Sequence, residues 1–194
     1  MQLKMILATL LVFEALPVCA QVVPAATEGN FPLAVGSGFS SFDVDWGHGR
    51  MGGGTLWADW HLYTRTPFLQ GISVEMEARD ISLGGSPSQP NIRQDTAAGG
   101  LTYTWPHYRF VQPYGKFLMG LASMDFTSSD PAYKHDTRTF NAFGGGLQIR
   151  ALPHVWVRAD YEYQIWASLL NGTPDPQGFT LGVMYDFSHG FRRR

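Results

Sequence analysis

From Leu33 onward, apolar and polar positions change places every second residue, in eight segments separated by turn-forming stretches. A strand with different surroundings on its two faces has this period. A helix turns about 100° per residue and would scatter the same residues around its circumference. The last segment is the clearest: Phe179, Leu181, Val183, Tyr185 and Phe187 oppose Thr180, Gly182, Met184 and Asp186. Before it, Val155, Val157, Ala159, Tyr161, Tyr163 and Ile165 oppose Trp156, Arg158, Asp160, Glu162, Gln164 and Trp166. Leu56, Ala58, Trp60 and Leu62 oppose Trp57, Asp59, His61 and Tyr63, and Ile72, Val74, Met76 and Ala78 oppose Ser73, Glu75, Glu77 and Arg79. Leu101, Tyr103 and Trp105 oppose Gly100, Thr102 and Thr104. Phe143, Gly145, Leu147 and Ile149 oppose Ala142, Gly144, Gly146, Gln148 and Arg150. Two segments are less regular, Leu33 to about Val44 and Val111 to about Phe126. In the second of these, Phe117, Met119 and Leu121 are assigned to the apolar face and Lys116 to the other.

The connections are expected to alternate between long and short. Those near Gly47-His48-Gly49-Arg50, Gly84 to Asp95, Ser128 to Arg138 and Asn171 to Gln177 are long or polar. Those near Thr66-Pro67-Phe68, Pro106-His107-Tyr108 and Leu152-Pro153-His154 are shorter. This is the pattern of an up-and-down antiparallel sheet with two unlike ends, and eight strands can close on themselves and so abolish the sheet edges. The fold class expected is all-β, an eight-stranded antiparallel β-barrel over residues 32–187.

Ahead of the strands, Lys4, the apolar run Met5 to Phe13 and the small-residue ending Cys19-Ala20 have the layout of a secretory signal peptide over residues 1–20, cleaved before Gln21. Leu16-Pro17-Val18-Cys19 resembles a lipoprotein cleavage box, although Val18 is large for the position before a lipidated cysteine. Cleavage removes Cys19, the one cysteine, so the exported chain needs no disulfide. Residues 21–31 are then a periplasmic lead-in and 188–194 a basic tail ending Arg192-Arg193-Arg194. No later stretch reaches the roughly 20 apolar residues of a spanning helix. A net charge of −2 gives no electrostatic basis for binding nucleic acid.

Alternation alone does not say which face points outward, because soluble lipocalin-like barrels and membrane barrels share the period. Charge decides it. Charged residues make up 15% of the chain, against about 25% in average soluble chains, and lysine is confined to Lys4, Lys116 and Lys134. The non-apolar face carries Asp59, Glu75, Glu77, Arg79, Lys116, Arg150, Arg158, Asp160, Glu162 and Asp186, a nearly balanced set suited to an enclosed network of pairs. The same face carries Gly36, Gly38, Gly100, Gly120, Gly144, Gly146 and Gly182, which leave room for long side chains in a narrow lumen. Trp60, Trp105, Tyr161, Tyr163, Phe179 and Tyr185 lie on the apolar face, where aromatic rings anchor at a membrane boundary. A transmembrane barrel with its apolar face in lipid is therefore expected.

The ending Gly178-Phe-Thr-Leu-Gly-Val-Met-Tyr-Asp-Phe187 resembles the final strand of bacterial outer-membrane β-barrels. With Phe143 to Arg150, Val157 to Gln164 and Gln112-Pro-Tyr-Gly-Lys116, the chain is similar to the small eight-stranded outer-membrane protein A-type barrel domains. The resemblance implies outer-membrane lipid and the outer-membrane assembly machinery as partners, with Tyr185 and Phe187 as the terminal signal that the machinery reads. Family members often stop at the terminal aromatic, whereas this chain continues from Ser188 to Arg194.

Candidate chemistry is sparse. An eight-stranded barrel is just wide enough to be filled by side chains, so the lumen charges are expected to form paired rungs; a wide diffusion pore takes about 16 strands. His48, His61, His107, His135, His154 and His189 show no two-histidine metal spacing, so no metal or cofactor is expected. Ser128, Ser129, His135 and Asp136 share a loop, but nothing in the sequence fixes a catalytic geometry for them. The expected role is structural or adhesin-like, with long loops outside the cell offered to an extracellular ligand and no enzymatic activity. A narrow channel, a lipid-modifying enzyme and a soluble lipocalin-like barrel are the alternatives.

Overall fold

A computed structural model describes residues 31–43, 49–62, 66–83, 92–105, 110–126, 135–167 and 175–188. Eight strands follow in order: β1 (Leu33–Asp43), β2 (Arg50–His61), β3 (Ile72–Ser82), β4 (Ile92–Thr104), β5 (Val111–Phe126), β6 (His135–Leu152), β7 (Val155–Trp166) and β8 (Gln177–Asp186). Each pairs antiparallel with the next, and β8 returns to β1 with Ala34 opposite Asp186 and Asp43 opposite Gln177, closing the barrel. Closure leaves no open edge, so backbone donors and acceptors are satisfied strand to strand. This is the condition for β-structure in a bilayer. The compact unit runs from Pro32 to Phe187.

The side chains alternate as the sequence pattern requires. In β8 every second residue is buried and every other one exposed, and β3 keeps the same alternation with Ile72 half-buried. The outward set is apolar: Leu56, Met76, Leu101, Met119, Leu147, Leu181 and Val183 are all exposed, Met76 to 68%. The inward set includes Glu75, Arg158 and Glu162, each exposed by 1% or less. Such an inside-out distribution is stable only if the outer wall meets hydrocarbon. The irregular β5 has Phe117, Met119 and Leu121 outward and Lys116 inward.

The barrel has two ends. One, the loop end, carries the connections β1–β2, β3–β4, β5–β6 and β7–β8. The other, the terminal end, carries the remaining connections and the start of β1 and finish of β8. Strict alternation of connection lengths does not hold. The β2–β3 connection spans 62–71 and contains a 3-10 turn at Pro67–Gly71, so it is longer than the β1–β2 connection at 44–49. Length at the loop end is instead carried by the strands: β5 has 16 residues and β6 has 18, against 10 in β8. Their added outward positions are polar, including Ser123, Asp125, Thr137 and Thr139, and the β5–β6 pairing continues to Asp125 opposite His135. A bulge between Arg150 and Leu152 ends the regular pairing of β6 with β7 at the terminal end.

Candidate functional site

The lumen is stacked in three layers. At the loop end, Phe42, Met51, Ile81, Leu83, Ile92, Leu118, Ala122, Met124, Phe140, Ala142 and Trp166 form one buried apolar cluster. At the terminal end, Ala34, Trp57, Trp156 and Met184 form a smaller one. The charged groups lie between them.

Two arginines organise the charges. Arg158 donates from Nη2 to both oxygens of Glu75 at 2.8 and 3.0 Å, and from Nε to Asp160 at 3.1 Å. Its Nη1 stands 3.3 Å from Asp59 Oδ2. Arg79 donates to Glu162 at 3.0 and 3.2 Å and also to Glu77. Lys116 joins the two groups: its Nζ is 2.8 Å from Glu77 and 2.6 Å from Glu162, with Asp160 at 3.7 Å and Glu75 at 3.9 Å. Neutral donors supplement the three bases, Thr102 to Glu75 at 2.7 Å, Tyr114 to Asp160 at 2.6 Å and Gln164 to Glu162 at 2.7 Å. A buried ion pair is tolerable only when its remaining lone pairs are met in this way.

Aromatic rings cap the network towards both plugs. Arg79 lies 4.0 Å from the centre of the Phe42 ring. Arg158 lies 5.0 Å from Trp57 and 4.5 Å from Tyr114. Trp166 donates its indole N–H to Gln164 at 2.8 Å, which links the loop-end plug to the network. Two of the lumen glycines seat an aromatic ring rather than a charged chain. A Cβ on Gly36 would come within 2.4 Å of the Trp57 indole, and one on Gly182 within 2.6 Å. Gly144 does make room for a base, since a Cβ there would lie 2.9 Å from Lys116.

Of the ten charged residues assigned to the lumen, Asp59, Glu75, Glu77, Arg79, Lys116, Arg158, Asp160 and Glu162 come together. Asp186 faces inward at the terminal end and approaches His61 at 3.8 Å instead. Arg150 is a correction: it stands apart from the network. It shares the inward phase, but it lies beside the bulge and turns to the carbonyls of Leu152 and Pro153, each at 3.4 Å. Tyr114, Thr102 and Gln164 carry network bonds that the sequence reading did not assign to them. Their alternation in step with Lys116, Gly100 and Glu162 was the available signal.

On the outer wall Trp60, Trp105, Tyr161, Tyr163, Phe179 and Tyr185 all face out. Trp60, Trp105 and Tyr185 belong to the terminal end, where Tyr103 meets Trp105 edge-on at 5.3 Å. Tyr161, Tyr163 and Phe179 lie towards the loop end, and Tyr161 donates to Gln177 at 2.5 Å. Tyr185 and Phe187 meet edge-on at 4.7 Å. Ser128 and Ser129, with His48, His107 and His189, lie outside the described residues, as do residues 1–30 and 189–194. Among the described residues, no group of three or more metal-ligating side chains is placed to hold an ion.

An apolar wall with aromatic residues towards both ends, around a closed barrel filled with paired charges, defines a membrane-spanning β-barrel. Residues 7–187 match the family model described as the outer membrane protein beta-barrel domain, and the chain belongs to that family of bacterial outer-membrane proteins. No curated protein sequence matches it. Among solved structures it is similar to Neisserial surface protein A, with a TM-score of 0.60 and 15% identity over 79% of this chain and 95% of that one. It is also similar to OprG from Pseudomonas aeruginosa (TM-score 0.53, 14% identity, 80% and 95% covered). Ail, the attachment invasion locus protein of Yersinia pestis, gives 0.52 and 19% identity over 79% and 95%. At these identities the likeness is one of fold.

Proposed function

We propose that this barrel is a non-conducting scaffold that holds its loop end outside the cell as a binding surface, an adhesin-like role without catalysis. The observation that carries the reading is the blocked lumen: apolar plugs stand at both ends of a network in which Arg79, Lys116 and Arg158 are surrounded by five buried carboxylates. Rigid scaffolds concentrate binding in the loops they present, and the long β5–β6 hairpin lifts one such loop farthest. Tyr185 and Phe187 serve as the terminal signal for the assembly machinery, supported by their outward exposure beside the end of β8.

Planar bilayers test the blocked lumen: the reading expects no unitary current steps, and discrete steps from the intact chain would favour a narrow channel instead. Cells carrying a chain with residues 84–91 and 127–134 shortened to tight turns test the binding surface. They are expected to lose attachment to immobilised heparin. Heparin is the first probe because Ail, which shares the fold, has been solved with the heparin analogue sucrose octasulfate. Attachment that survives the loop deletions would overturn the reading for this ligand class. Unchanged lipid mass spectra on expression are expected, and altered spectra would indicate a lipid-modifying enzyme.

A further inference from the structure

The outer wall is not evenly filled. On β1 to β4, towards the loop end, several outward residues are small: Ser37, Gly54 and Ala78, with Ala97 opposite Ala78. Bulky Leu56 and Met76 stand beside them. The result is a depression of about 600 Å³, within the roughly 300–1,000 Å³ range of small-molecule sites. Its lining comes from four adjacent strands and from none of the facing wall, so it opens outward to lipid and not into the lumen. Gly54 shows the space directly. It lies opposite Phe39 in the β1–β2 register, but the Phe39 ring leans over Gly52, where an added Cβ would meet it at 3.0 Å. A Cβ added to Gly54 would meet nothing within 4 Å.

The depression straddles a chemical boundary. Ser37, Gly54, Leu56 and Ala78 line its membrane side, and Asp80 and Asp95, directly opposite each other in the β3–β4 register, form its loop-end rim. One row farther out, Ser82 faces Arg93, which engages both carboxylates through Nε and Nη2. The Asp80 and Asp95 side chains are still 60% and 42% exposed. A carboxylate has about four lone-pair sites, so both keep acceptor capacity beyond Arg93. An apolar bed leading to a rim of acceptors fits an amphiphile lying along the wall, chain towards the membrane centre and headgroup at the rim.

We propose that the depression binds an acylated amino-sugar lipid. One acyl chain lies against Gly54 and Ala78, where it gains contacts that the small residues leave unmade. Sugar hydroxyls and the amide N–H of the acylated amine donate to Asp80 and Asp95. The rim's charge selects this headgroup. Two carboxylates stand against one guanidinium, so a bare phosphodiester, which brings only acceptors and negative charge, is disfavoured. A sugar brings several donors at once and spreads them over both rows of the rim. Arg93 Nη1, which neither carboxylate engages, is the donor for a phosphate oxygen on that sugar. Such lipids occupy the outer leaflet, so the assignment rests on the reading that the loop end lies outside the cell.

Native mass spectrometry of the full chain, folded in micelles with equal amounts of lipid A, phosphatidylethanolamine and phosphatidylglycerol, tests the site. One lipid A per barrel is expected, retained about tenfold above either phospholipid. Gly54→Leu combined with Ala78→Leu fills the depression with side chains of the kind this wall already exposes, and should cut that retention about tenfold. Asp80→Asn combined with Asp95→Asn should instead erase the preference for lipid A. Equal retention of the three lipids by the wild type, or lipid A retention untouched by the leucines, would overturn the proposal. If the filled variant fails to fold, lipid A with a photoreactive acyl chain decides on the wild type. Crosslinks should concentrate on β1 to β4, and crosslinks spread evenly around the wall would overturn the site. Protease cleavage of the loops on intact cells reads their orientation independently, so a failure of that reading is told apart from a failure of the site.

Discussion

Arg79 and Asp80 are neighbours in the sequence, and each belongs to an ion cluster, yet the clusters stand in different solvents. Arg79 points inward, where its side chain has no exposure and meets Glu77 and Glu162. Asp80 points outward, where it forms a two-fold pair with Arg93 at 2.9 and 3.1 Å, and Arg93 also reaches Asp95 at 3.2 Å. The Arg93 side chain is 53% exposed. The two sets use the same chemistry on adjacent faces of one strand. They differ in what surrounds them after one partner is removed. In the lumen the orphaned charges are sealed between apolar plugs; at the wall they turn to water or headgroups. A pair's consequence for stability therefore follows from its side of the wall, not from its distances.

The largest effect should come from Arg158→Met, which leaves Glu75, Asp59 and Asp160 without their shared guanidinium. A loss of about 3–5 kcal/mol is expected in urea unfolding from lipid vesicles. Phe42→Ala should follow closely, also at about 3–5 kcal/mol, because it opens the loop-end plug and uncovers Arg79. Phe39→Ala, three positions earlier and facing outward, should cost much less, since lipid fills the space. Equal costs at Phe39 and Phe42 would break the comparison between the two faces. Gly36→Val comes next, at about 1–3 kcal/mol, because its Cβ meets the Trp57 indole. Combining it with Trp57→Phe should recover part of that loss, and no recovery would mean the strain lies elsewhere. Arg93→Ala should be smallest, hardly moving the urea midpoint, with any effect erased by high salt. An Arg93→Ala loss as large as that of Arg158→Met would leave the wall irrelevant to the pairs.

Much of this architecture was legible along the chain. The alternation in Val155 to Trp166 placed Arg158, Asp160 and Glu162 on one face and Tyr161 and Tyr163 on the other, as the strand has them. Arg150 misled because a period of two holds only while pairing is regular, and the bulge beside it turns its side chain to local carbonyls. The apolar plugs were harder to foresee. Phe42, Met51, Met124 and Phe140 lie on inward faces near the loop end of four different strands, and only barrel closure brings them together. Connection lengths misled for a related reason: the reach of β5 and β6 beyond the wall is built from paired strand, which turn-forming residues do not mark.

What the sequence determined by itself was the period, the strand count and the two chemically distinct faces, because these follow from neighbours one and two residues apart. Which charges meet was left to the tertiary structure. Arg158 and Glu75 are 83 positions apart, as are Arg79 and Glu162, and they become partners only when curvature and strand register bring opposite walls of the lumen within one side chain's reach.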